Sequence, residues 1–190
     1  MTSPNNLYQG ISKCAWGYLF LYFDINLGSV SILPDFVAFW LFLSAIELLK
    51  EEERELRLLL LFGEILMVWN GAQWLLSWFG RDLSGLIPGA DIIICLVDQY
   101  FHFQLLTNLA SIAAKCQPEG SHHDGKLLKY RTMQVILFTV MMVLTYLSQI
   151  PGEFWANLSL AMAVPYLIAG VCMMSALFSL RKDLPGDQTL

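Results

Sequence analysis

Apolar stretches recur along this chain at close to the length of a membrane-crossing helix. Spanning the hydrocarbon core takes about 20 mostly apolar residues. Six segments meet or approach that length: 11–28, 34–50, 56–79, 91–114, 130–150 and 152–180. They predict an all-α fold, a six-helix transmembrane bundle forming one integral membrane domain over residues 1–190. Charged residues are 14% of the chain and apolar ones 56%, against roughly 25% charged in soluble domains. That balance excludes a disordered chain and an ordinary soluble enzyme. A net charge of −5 with no large basic patch excludes a nucleic-acid partner.

An alternative joins the first two segments into one re-entrant unit around Asn26–Ser29, leaving five spans. Basic residues decide between the two, because cytoplasmic loops collect Lys and Arg. With six spans and both ends inside, the inner segments hold Lys13, Lys50, Arg54, Arg57, Lys115, Lys126, Lys129, Arg131, Arg181 and Lys182, which is 10 of the 11. Only Arg81 falls outside. Five spans would put the ends on opposite sides and spoil this split, so the expected topology is N-in, C-in. The polar start, Met1–Gly10, lacks a basic region and a cleavage site, so the first segment reads as a retained helix.

The three outer connections, Ser31–Phe36, Gly85–Asp91 and Gln149–Phe154, each carry an apolar residue, a proline and then an acid. Proline suits the first helical turn, and an acid there faces the positive end of the helix dipole. They predict helix starts for spans two, four and six. Three similar hairpins are one reading, and the shared needs of membrane turns are the plainer one. The loop 117–129 reads as a polar linker in which His122, His123 and Asp124 are solvated rather than metal-bound.

Ionisable groups at membrane depth cost about 2.5–3.5 kcal/mol on insertion scales, so each is a functional candidate. Asp98 and His102 lie four residues apart on one face of span four. Glu64 lies at a similar depth on span three. A Glu64–His102–Asp98 cluster is therefore expected, acting either as a proton or ligand path or as a static pair joining helices. Asn70 and Gln73, with Ser77, form a second polar face on span three that could line a solute pocket. Asp24 and Asn26 close span one and, with Asp35, gather at the outer surface. Pro165 interrupts span six, as prolines do in many transport sites.

The four cysteines have no C-x-x-C spacing and read as buried thiols. No nucleophile, phosphate-binding, dinucleotide or metal motif occurs, so no enzyme activity, cofactor or metal is expected. The stretch from Gly10 through Trp16-Gly17-Tyr18-Leu19-Phe20, then Asp24-Ile25-Asn26-Leu27-Gly28 and Ile32-Leu33-Pro34-Asp35-Phe36, resembles the start of small multi-span membrane proteins of clostridia and related Gram-positive bacteria. That resemblance covers about the first 45 residues and implies a multi-pass protein of a bacterial plasma membrane. A looser likeness is to the substrate-binding membrane subunits of energy-coupling-factor transporters, although their A-x-x-x-A pattern reads Ala15 then Leu19 here. The expected function is binding or transport of a small solute. The alternative is a non-catalytic assembly or regulatory role, with the bilayer and a membrane-protein partner or second copy as contacts.

Overall fold

A computed structural model describes residues 4–23, 26–27, 30–31, 34–81, 83, 87, 89–147 and 153–184. Six long helices account for most of these: α1 Pro4–Tyr22, α2 Asp35–Leu49, α3 Leu56–Ser77, α4 Ala90–Cys116, α5 His123–Leu147 and α6 Glu153–Lys182. A two-residue ribbon, β1 Asn26–Leu27 with β2 Val30–Ser31, sits between α1 and α2. Four helices, α3 to α6, are long and apolar enough to cross a membrane. The shorter α2 (15 residues) and the more polar α1 do not meet that measure alone.

Two boundaries differ from the sequence expectation. Helix α1 begins at Pro4, inside the stretch read as a polar tail. Helix α5 begins at His123, inside the stretch read as a linker. There the Gln117 side chain replaces the missing helical partners: its Oε1 accepts from the backbone N–H of His123 (2.7 Å) and of Asp124 (3.3 Å). The expected acid-led starts of α2 and α4 are present, with Asp35 and Asp91 in their first turns. Pro88 and Pro151 lie outside the described residues.

Each helix packs on its neighbours in sequence, and α6 returns to pack on α1, closing a ring. Helices α1 and α2 run antiparallel at very close range. A Cβ on Gly10 would lie 2.6 Å from Leu49, and one on Gly17 would lie 2.6 Å from Phe42. Such small residues let membrane helices gain van der Waals contact where lipid supplies no hydrophobic drive. The core fills the middle of the ring with Ile11, Cys14 and Tyr18 of α1, Phe39, Phe42 and Ile46 of α2, and Phe101, Leu105 and Leu109 of α4. These recur at three- and four-residue spacings, one face per helix.

The outer surface is the reverse of a soluble protein's. Leu58, Leu61, Val68 and Leu75 of α3 and Leu160, Val164, Leu167 and Ile168 of α6 are all exposed. A soluble monomer rarely shows so large an apolar face. In lipid it is the ordinary one.

At one end of the bundle, polar side chains tie the connections together. Glu53 accepts from Ser111 Oγ at 2.7 Å and from Lys115 Nζ at 3.1 Å, and Glu55 accepts from Gln104 at 2.9 Å. His123 Nε2 meets Asp183 Oδ2 at 2.6 Å, joining the start of α5 to the end of α6. Arg181 donates to Ser12 Oγ at 3.3 Å and lies over the rings of Phe178 and Tyr8. His123 is therefore a buried, bonded group, contrary to the solvated loop residue expected from sequence.

Candidate functional site

His102 is 4% exposed and sits where α4 meets α1 and α2. The rings of Tyr18, Phe39, Phe42 and Phe101 surround it at centroid distances of 5.3–6.0 Å. Its Nδ1 shares a 3.2 Å hydrogen bond with the Tyr18 hydroxyl, and its Nε2 faces Asp98 Oδ1 at 3.4 Å. Which atom donates in the Tyr18 contact is set by the His102 tautomer. The helical spacing of Asp98 and His102 thus brings them together as the sequence predicts. Asp98 has one side open, its side chain 26% exposed.

That open side faces a partly open cavity of about 220 Å³ between four helices. Helix α4 lines it with Asp98, Gln99, His102 and Phe103, α5 with Arg131, Gln134 and Phe138, α6 with Tyr166 and α1 with Leu21. The register of α4 on α5 is fixed by polar contacts at two levels. Gln99 Nε2 donates to the Val135 carbonyl (3.2 Å) and to Thr139 Oγ1 (2.9 Å). Arg131 Nη1 donates to Thr107 Oγ1 at 2.9 Å, with its guanidinium 4.4 Å over the Phe103 ring. Pro165 removes a backbone donor one residue before Tyr166, leaving the Ala161 carbonyl short of its helical bond.

Two buried polar atoms of residues lining this cavity have no hydrogen-bond partner among the described residues, Arg131 Nε and Gln134 Oε1, while His102 Nε2 has only its 3.4 Å approach to Asp98. Gln134 is only 7% exposed. Buried polar groups in folded proteins are nearly always satisfied, so two on one void mark a place for a polar occupant.

Glu64 does not join this group. The inward stripe of α3 is Leu59, Gly63 and Leu66, and Glu64 is one helical step past Gly63, on the outer face. It borders a separate apolar groove with Leu61, Ile65, Val68 and Trp69. The expected Glu64–His102 approach is therefore absent. Asn70 and Gln73 are used locally. Asn70 Nδ2 donates to the Leu66 carbonyl at 2.8 Å, and Gln73 Oε1 accepts from the Leu83 backbone at 2.9 Å. Asp24 lies outside the described residues, and Asn26 lies in β1.

Sequence reading missed Arg131, Gln134, Gln99, Tyr166 and Tyr18. Arg131 was assigned to the cytoplasmic basic cluster. Its spacing to Gln134, three residues on one face of α5, was the available signal. Among the described residues no three His, Cys, Asp or Glu side chains could hold a metal ion, and the four cysteines are free thiols, only Cys14 of them buried. Comparison with family models, curated proteins and solved structures found no match.

Proposed function

We propose that this chain is a six-span integral membrane protein, N-in and C-in, that binds a small polar solute in the cavity between α4, α5 and α6. One observation carries the reading: a void between helices, lined by buried polar atoms left unpaired among the described residues. A polar cluster serving only to join helices would satisfy its own members. The volume, about 220 Å³, falls below the roughly 300–1,000 Å³ of drug-sized sites, which favours a small occupant. The basic split supports the orientation, as does the gathering of the α2–α3 and α4–α5 connections at the end where α6 finishes. On this reading the protein is a non-enzymatic binding or transport component of a bacterial plasma membrane.

Native mass spectrometry of the full chain released from nanodiscs tests it. A bound small molecule should accompany the wild-type protein and be lost in Gln134→Leu, which fills the void with an apolar group. Absence of any bound or added solute, with Gln134→Leu more stable than wild type, would sink the reading.

A second reading, lateral assembly in the membrane, is favoured by Glu64. Its carboxylate is exposed among apolar residues of α3 with no partner among the described residues, and a polar group from another membrane helix would relieve it.

A further inference from the structure

Asp98 and Arg131 line the same cavity but are not an ion pair. Opposite charges attract strongly where water is scarce, so something must hold them apart. The guanidinium is pinned to Thr107 and stacked on Phe103. Phe103 and Thr107 lie five and nine residues beyond Asp98 on α4, about 8 and 13 Å of helical rise. The helix register therefore separates the two charges along the cavity, and each keeps an open side. Among the described residues Asp98 has one ion-pair partner, His102 on its own helix, and Arg131 keeps Nε unpartnered. The cavity also holds the free acceptor Gln134 Oε1, and its walls include Phe103, Phe138 and Tyr166.

We propose that the occupant is a small zwitterion, with its protonated amine on Asp98 and its carboxylate on Arg131. This rests on the solute-binding reading above and names its ligand class. A simple cation would compensate Asp98 and leave Arg131 unmet, and a simple anion the reverse. A neutral solute would leave both charges without a counter-charge. A molecule with both charges compensates both ends, and its amine hydrogens suit the free acceptor of Gln134. The volume limits it to amino-acid or short-peptide size.

The test uses the full wild-type chain in nanodiscs, with thermal shift and calorimetry as readouts. The probes are glycine, β-alanine, γ-aminobutyrate and ε-aminocaproate. Butylamine, butyrate and butyramide serve as single-charge and neutral controls. At least one zwitterion should bind about 10-fold or more tightly than the amine and the acid of matched length, as expected for charge-assisted hydrogen bonds at each end. Asp98→Asn should reduce that zwitterion to the affinity of butyrate, and Arg131→Gln to that of butylamine. Should either variant fail to fold, the wild-type comparison still decides. Butylamine, butyrate or butyramide binding as tightly as every zwitterion overturns the zwitterion while leaving a solute site in place. No binding by any of the seven probes overturns it as well, and the Gln134→Leu experiment then shows whether the site itself falls.

Discussion

Tyr18 and His102 share a hydrogen bond within a cluster of aromatic rings. Tyr18→Phe strands His102 Nδ1 and should destabilise the protein by about 1–3 kcal/mol, the cost of an unpaired buried polar atom. A double-mutant cycle with His102→Phe should return a coupling nearer 0.6 kcal/mol, the average for polar contacts between membrane helices. Chemical or thermal unfolding in mild detergent measures both, and a coupling near zero would show that the bond is not formed. At the polar end of the bundle, the Glu53 carboxyl is held below its ordinary value of 4.5, chiefly by the Ser111 hydroxyl and also by Lys115. A lowered carboxyl contributes stability above its unfolded value and loses it as pH falls through the folded one. Stability should therefore drop on acidification below about pH 4.5, and Glu53→Gln should flatten that drop, by less than about 1 kcal/mol for a solvent-screened pair. Unfolding curves of both proteins between neutral and acid pH decide this. Asp98 and His102 were legible in sequence because both lie on one helix, where spacing fixes the shared face. Glu64 was misplaced because depth along a helix says nothing about rotation around it. Gly63, with no side chain to draw notice, is the residue that faces inward and turns Glu64 out.

The positions of α3 to α6 followed from apolar length, which for a crossing helix is set by bilayer thickness rather than by tertiary detail. Helix starts in polar sequence were harder to read. The α5 start depends on a glutamine six residues upstream and on Asp183, sixty residues away in sequence, which periodicity cannot register. Close approach of α1 and α2 gives a sharper test of packing. Phe42 is fully buried and its ring cannot swing away from a new methyl group, so Gly17→Ala should cost about 1–3 kcal/mol, as overpacking does. A stability unchanged within error would mean that the helices separate at little cost. On α3 the expectation is reversed. Glu64→Leu removes an exposed carboxylate and breaks no described contact, so the unfolding temperature of the isolated protein should hold or rise. A marked fall would reveal a partner within the chain. Loss of a cross-linkable oligomer in the same variant would favour the assembly reading.

Across the whole molecule, orientation rests on where the basic residues lie. With the native cysteines replaced, Arg81→Cys should react with an impermeant thiol reagent on intact cells, and Ser121→Cys only after permeabilisation. Labelling of Ser121→Cys from outside would invert the topology. The ring has a further consequence. Helix α6 lies against α1, and Arg181 reaches Ser12, so the first and last helices are packed neighbours like those joined by a loop. Chain order around such a circle has no privileged starting point. A circular permutant that joins the two ends by a flexible linker and opens the chain at the Ser121 turn should still assemble the same bundle. Its unfolding temperature should stay close to the parent's, provided the cut spares the Gln117 contacts that begin α5. The order in which the helices enter the membrane would then be a matter of biosynthesis and not a condition of the final architecture.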